Sequence, residues 1–284
     1  MTAFRDYLAC PYRFYLQYIV RLTSVRDDRM EMDAALFGSL LHEALGVFGR
    51  GPASSASDPG TVSDALDDAL KHAVSKRLGD KLAPALALQV EQARRRLAAF
   101  APWQANRAKE GWLILKDGCE VSAEGFLNVD GIEFSVYGRI DRIERNAETG
   151  AFAVLDYKSG ESVSSPEQAH RRAVDGVTVW TDLQLPLYSV IAPVPDDSSV
   201  TLGYINIGSD PSTNVLMEAN WGPDDIADAL RYAETTIRNI RNGVFWPPNP
   251  NARPSGDGIG AICFEDCADR LALQTRMHDF EGAK

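Results

Sequence analysis

Asp156 and Lys158 stand two residues apart near the end of AFAVLDYKSGE, residues 151–161. The apolar run before them reads as a buried strand, and side chains two apart on a strand share a face, about 7 Å apart along the chain. Phe152 and Val154 fall on that face, while Ala151, Ala153 and Leu155 cover the other. Both faces stay apolar until the strand ends, as in the centre of a sheet. Upstream, Asp141 sits in GRIDRIER, where a hairpin would lay it beside Asp156. Two carboxylates at the ends of adjacent strands repel unless a proton or a cation lies between them. Lys158 can neutralise one of them. A divalent cation neutralises both, and Mg²⁺ prefers such hard oxygen ligands. The alternative is purely structural: a buried Asp156–Lys158 ion pair, and a surface pair of Asp141 with Arg139 or Arg142.

Two helical segments offer further chemistry. In GSLLHE, Gly38 and His42 are four apart and share a helix face, so backbone or ligand can approach beside the imidazole. In DLQLPLYSV, Gln184 and Tyr188 are also four apart, an amide and a phenol able to reach one phosphate. Each has a plainer reading, a packed or exposed histidine and a polar rim on a helix.

These residues need elements to hold them. The spacing predicts an aromatic-rich helix over residues 4 to about 20, with Pro11 near its start or kinking it. A second helix carries Leu36, Leu40, Leu41, Leu45 and Phe48, and GRGPASSASDPG after it reads as a mobile loop. Helices over 63–79, with Ser63 as N-cap, and over 84–109 follow. From Trp112 to Lys158 the pattern turns strand-like, with Asp130-Gly131 and NAETG as hairpin turns. Helices are expected again at 166–174 and 180–192, then a strand in VTLGYINI, a helix at 223–242, a Pro/Gly-rich loop and a last helix. The sum is an α/β layer arrangement with a helical N-terminal extension.

Composition sets outer bounds. The chain has 284 residues, 45% of them hydrophobic, enough for one large domain or two small ones. The net charge of −11 argues against a protein that coats nucleic acid, although metal-holding carboxylates add to that total. Basic residues cluster at 94–96, at Arg171 and Arg172, and near the start. No stretch reads as a membrane span and the opening does not read as a secretory signal, so a reducing cytoplasm is the expected setting for four cysteines.

Taken in order, ALFGSLLHEAL, GRIDRIE, VLDYKSGE and QLPLYSV resemble the histidine motif, first acidic strand, Asp-x-Lys strand and Gln/Tyr helix of the RecB-type branch of the PD-(D/E)xK nuclease superfamily. YLACPYRFYLQYIVRL is similar to the helix before the first motif in nuclease domains of AddB-type helicase–nucleases. The resemblance implies a restriction-endonuclease-like core, a central mixed sheet flanked by helices, behind the N-terminal helices. It implies one nuclease domain over 1–284: a mainly helical part to 110 with the histidine motif, a catalytic sheet core at 111–210, and C-terminal helices and loop at 211–284. By the same resemblance His42, Asp141 and Asp156, with the carbonyl of Tyr157, would hold Mg²⁺, with Mn²⁺ able to substitute. Lys158 would position or activate the attacking water, and Gln184 and Tyr188 would orient Lys158 or touch the DNA backbone.

The implied activity is metal-dependent hydrolysis of DNA phosphodiesters in repair or recombination, as an exonuclease on ends or single strands. The rival is a catalytically silent DNA-binding or scaffold module of a helicase–nuclease complex. Some relatives carry an iron–sulfur cluster on one cysteine before the histidine motif and three near the C-terminus. Cys10 matches the first, but Cys263 and Cys267 are spaced x₃ where the pattern begins with x₂, and Cys119 lies in a strand, so the cluster is expected to be lost. No Walker A motif is present, and the chain begins almost on the pre-motif helix. It is therefore expected to be a fragment of a larger protein, with a helicase domain or subunit as partner.

Overall fold

A computed structural model describes residues 1–22, 31–160, 164–174, 176–195 and 197–249. The expected last helix, with Cys263 and Cys267, lies outside the described residues. The chain divides into two compact units, Met1 with Asp28–Arg231, and Thr2–Asp27 with Tyr232–Lys284.

In the second unit the expected single N-terminal helix is broken into α1 (Thr2–Ala9), α2 (Pro11–Phe14) and a π-helical turn over Tyr15–Ile19. Pro11 makes the break. It has no N–H to donate and its ring forces the preceding residue out of the helical region, so Cys10 is extended, with φ −161° and ψ 107°. The aromatic residues pack within this unit, Tyr15 against Phe245 at 5.2 Å and Tyr12 edge-on to Trp246 at 5.4 Å.

The first unit opens with α3 (Ala34–Arg50), capped by Asp33, whose carboxylate accepts from the Leu36 N–H. The segment expected to be a mobile loop instead holds a 3₁₀ turn over Pro52–Ser55. Next, α4 (Pro59–Leu78) begins before Ser63: Asp58 is the N-cap and Pro59, whose missing N–H costs nothing there, takes the first helical position. The next helix, α5, runs Pro84–Lys109. One apolar core, including Leu40, Leu45, Leu66, Leu97 and Phe100, joins these three helices to Leu155, Tyr157 and Ile205 on one face of the sheet.

That sheet has five strands among the described residues. The meander β1 (Trp112–Val129), β2 (Ile132–Asn146) and β3 (Phe152–Lys158) is antiparallel. Asp130 and Gly131 turn β1 into β2 with φ of 56° and 80°, the two-residue geometry that matches strand twist. The expected helix over 166–174 stops early, as α6 (Pro166–His170), and continues as a hairpin of β4 (Arg171–Val174) and β5 (Val177–Trp180). The following helix, α7, is shorter than expected, Gln184–Ile191, because the Asp182 side chain accepts from the Gln184 N–H and starts it there. Beyond it, β6 (Val200–Asn206) pairs parallel to β3, and a strand missed in the sequence, β7 (Leu216–Glu218), closes the order β1-β2-β3-β6-β7. The expected helix at 223–242 is α8 (Pro223–Arg241). Thus β3 is central, α3, α4 and α5 cover one face, and α7 packs on β1, β2 and β6 from the other.

Candidate active site

The end of β3 is where burial and charge meet. Val154 and Leu155 are fully buried, and Asp156, at 3% exposure, is almost as deep. The β2–β3 register pairs Arg142 with Leu155, so Asp141 falls opposite Asp156, as the hairpin argument anticipated. The Asp141 carboxylate accepts from the Tyr157 N–H at 2.9 Å. Backbone N–H and C=O of one strand residue face the same neighbour, so the Tyr157 carbonyl also lies on the β2 side. Burial, with Asp141 next in weight, pushes the Asp156 carboxyl up to about 6, although Lys158 and His42 pull the other way.

Lys158 lies 2.8 Å from Asp156 Oδ2, and its ammonium rests 4.4 Å above the Tyr204 ring. The ion pair of the purely structural reading is therefore formed. Its companion is not. Arg142 is fully buried and pairs with Glu144, while Arg139 pairs with Glu120 at 2.6 Å. Asp141 faces His42 instead.

Gln184 and Tyr188 reach the site from α7. Gln184 Nε2 donates to Asp156 Oδ1 at 2.6 Å and to the Tyr188 hydroxyl at 2.9 Å. That hydroxyl in turn lies 3.0 Å from the Arg139 carbonyl and 3.3 Å from Asp156 Oδ1. Burial, reinforced by the nearby aspartates, raises the Tyr188 pKa, so its proton stays on. Both side chains grip Asp156 rather than Lys158, and Tyr188 is fully buried.

His42 comes from α3. Its Nδ1 is 3.3 Å from Asp141 Oδ2 and 3.7 Å from Glu120 Oε1. Burial alone would lower its pKa, but the carboxylates of Asp141 and Glu120 beside the ring outweigh that and take it to about 10. Gly38, one turn earlier, has Ser159 Oγ where a Cβ would come within 3.2 Å, so the glycine admits the loop after β3. Glu120, on β1, went unnoticed in the sequence. Ligand atoms of His42, Glu120 and Asp141 lie within 4.8 Å of one another.

These groups suit a hard divalent cation. Glu120 Oε1 and Asp156 Oδ2 are buried and have no hydrogen-bond partner among the described residues; the contact of Asp156 Oδ2 with Lys158 is an ion pair. Buried carboxylate oxygens left so are costly. Oxygen donors with one imidazole match Mg²⁺ or Mn²⁺ better than a thiolate-seeking metal.

A second layer fixes the strand ends. Arg96 donates to the carbonyls of Ser159 at 2.7 Å and Ile207 at 3.3 Å, tying the exits of β3 and β6 to α5. His170, wholly buried, bridges the Asp182 carbonyl at 2.8 Å and the Tyr204 hydroxyl at 2.5 Å, and so holds the ring beneath Lys158.

The family model for the PD-(D/E)XK nuclease superfamily matches residues 1–270. No curated protein sequence matches the chain. Among solved structures, the chain is similar to a "Putative exonuclease" from Eubacterium rectale, at 13% identity and a TM-score of 0.48, covering 87% of this chain and 82% of that one. It is also similar to SSO0001, at 17% identity and a TM-score of 0.30, covering 80% and 84%. Both likenesses are distant, and it is the family match, nearly the length of the chain, that gives the assignment: this chain belongs to the PD-(D/E)XK nuclease superfamily.

Proposed function

We propose that the chain is a divalent-metal-dependent deoxyribonuclease that hydrolyses phosphodiesters from DNA ends or single strands, in the manner of RecB- and AddB-type nuclease domains. The observation that carries the reading is the pairing of Asp141 with Asp156 across β2 and β3, with Lys158 on Asp156 and His42 on Asp141. His42, Asp141, Asp156 and the Tyr157 carbonyl would hold the cation. When bound, Mg²⁺ or Mn²⁺ lowers the pKa of a coordinated water and neutralises charge on the phosphate. Hydrolysis adds a water oxygen to phosphorus and breaks a P–O ester bond, leaving a phosphate monoester and a free hydroxyl. Lys158 is the side chain placed to meet the charge that develops. It is one-third exposed and braced by Asp156 and the Tyr204 face, so its ammonium is aimed before substrate arrives. Gln184 and Tyr188 act through Asp156, fixing the carboxylate so that one oxygen stays turned to the site.

A role in DNA repair or recombination, with a helicase domain or subunit as partner, follows the same resemblance. The rival, a silent DNA-binding or scaffold module, is disfavoured because Asp141, Asp156, Lys158 and His42 are all present, His42 against Asp141 and Lys158 against Asp156. The test is digestion of end-labelled single- and double-stranded DNA with Mg²⁺, Mn²⁺ or EDTA, alongside Asp156→Ala. Metal-dependent cleavage lost in the variant supports the enzyme, and the product ladder gives its polarity. No cleavage with either metal moves the reading to the silent module.

A further inference from the structure

The strand that brings Asp141 to the site also carries a path away from it. On β2, Asp141, Arg139, Tyr137 and Ser135 follow one another at two-residue spacing, so they share a face, about 7 Å apart at each step. On β1 the register sets Ser122 opposite Arg139, Glu124 opposite Tyr137 and Phe126 opposite Ser135, on that same face. The reverse face of the hairpin is sealed, with Leu127, Val129, Val136 and Ile140 all buried. The hairpin is a supported platform with one open side.

Two aromatic rings stand on that side. Tyr137 is 62% exposed and Phe126 52%. They are diagonal neighbours across the strand pair, a spacing that aromatic side chains can bridge, yet neither stacks on another ring among the described residues. Side chains then link the platform to the acidic pair. Arg139, 65% exposed, is held through Nε by Glu120 at 2.6 Å; Glu120 stands beside His42, and His42 beside Asp141 at 3.3 Å. Glu124, and Glu133 further out, also lie on the open face, and would repel a duplex that laid its phosphates there. A single strand can instead turn its bases to the rings and its backbone to water, and bring the backbone inward only at Arg139.

We propose that the open face of the β1–β2 hairpin is a track for single-stranded DNA, on which Tyr137 and Phe126 stack bases and Arg139 meets a phosphate where the strand enters the site. The inference rests on the nuclease reading and narrows its substrate to single strands. Stacking tolerates any base, because every base has a flat face, so the track holds a strand without reading its sequence.

The test is fluorescence anisotropy of a labelled oligothymidylate with the full chain in EDTA, which withholds the metal, beside digestion of the same strand with Mg²⁺ or Mn²⁺. Tyr137→Ala and Phe126→Ala are each expected to bind about fivefold or more weakly, the lower range for losing one stacked base. Leu88→Ala, which removes an equally exposed side chain from α5, is expected to bind as the wild type does. Arg139→Gln is expected to flatten the dependence of log affinity on log salt by about 0.7, the value of one phosphate contact on a single strand, while Tyr137→Ala leaves that slope alone. If Tyr137→Ala melts below the wild type, Tyr137→Thr serves, since a β-branched residue suits the strand. A blunt duplex hides its base faces, so an equal loss on duplex in Tyr137→Ala overturns the stacking. Wild-type affinity in both aromatic variants, with cleavage by the wild-type chain intact, overturns the track and leaves the nuclease reading standing. A wild-type chain that neither binds nor cleaves the strand overturns both.

Discussion

Glu144 is a single carboxylate facing two guanidinium groups inside the protein. It is fully buried, receives two hydrogen bonds from Arg107 at 3.0 and 3.1 Å, and pairs closely with the fully buried Arg142. Arg142 also donates to Gln104 at 2.7 Å and to the Tyr157 hydroxyl at 3.2 Å, so the cluster backs the two strands that carry the acidic pair. Glu144→Gln keeps the volume and most of the shape, but leaves two buried cations with no anion. Removing one partner of a buried ion pair typically costs about 3–5 kcal/mol, because the remaining charge is desolvated and uncompensated. Total stability is about 5–15 kcal/mol. The variant is therefore expected to lose about a fifth or more of it and to melt about 6–20 °C lower, at about 2–4 °C per kcal/mol. Urea denaturation followed by circular dichroism measures the change through its midpoint. Glu144→Gln with Arg142→Met, which removes the more deeply buried of the two orphaned charges, should recover part of the loss. A loss under about 1 kcal/mol in Glu144→Gln would mean that the two arginines do not depend on this carboxylate, and would refute the argument.

Lys158→Ala is expected to abolish cleavage and leave the melting temperature nearly unchanged, since it removes a partly exposed side chain and no core volume; cleavage at the wild-type rate removes Lys158 from the chemistry. Gln184→Leu takes away the amide that fixes Asp156, and a loss of about 10–100-fold in Mn²⁺ affinity is expected by calorimetry; unchanged affinity would show that Asp156 holds its place unaided. His170 gives a pH signature. Burial lowers its pKa below the ordinary 6.5, against the opposing pull of Asp182, so the unfolded chain takes up this proton first. Its contribution to stability is present above pH 6.5 and is lost as pH falls through the folded pKa, a slope that His170→Gln should lack between pH 5 and 7. Superimposable wild-type and variant profiles would remove His170 as the source.

The charged end of β3 could be read because each inference used one strict period. Two-residue alternation put Asp156 and Lys158 on one face, a short turn after β2 put Asp141 opposite, and four-residue helical spacing placed Gln184 with Tyr188. Where the reading erred, a local signal had a competitor. HRRAVDGVTVW contains an Asp-Gly pair between β-branched residues, a fair hairpin signal in the sequence, yet it follows the capping box of Ser165 and Gln168, whose helix signal competes with it. Arg142 and Glu144 look like surface charges by type. Alternation in GRIDRIER nonetheless puts them on the face opposite Asp141, and that face is the core.

Glu120 escaped for a different reason, and it bears on how the site was built. A motif shows in a sequence when its side chains obey the period of the element beneath them. Glu120 reaches His42 because it breaks that period: a bulge shifts the count on β1 and a positive φ turns the side chain toward α3. Its counterpart in the sequence is not an acidic neighbour but Gly46, more than seventy residues earlier, whose missing side chain makes sense only when β1 lies against the helix. The position nearest in sequence to Glu120 is no better a guide, because Cys119 also points at α3, with its sulfur where a Cβ on Gly49 would sit. Two consecutive strand residues aimed at one helix, matched by two glycines three apart on that helix, form a single packing solution split across the chain. The readable half of the candidate site comes from regular structure. The other half comes from a local departure from it, and a departure costs free energy that packing alone gives no reason to spend.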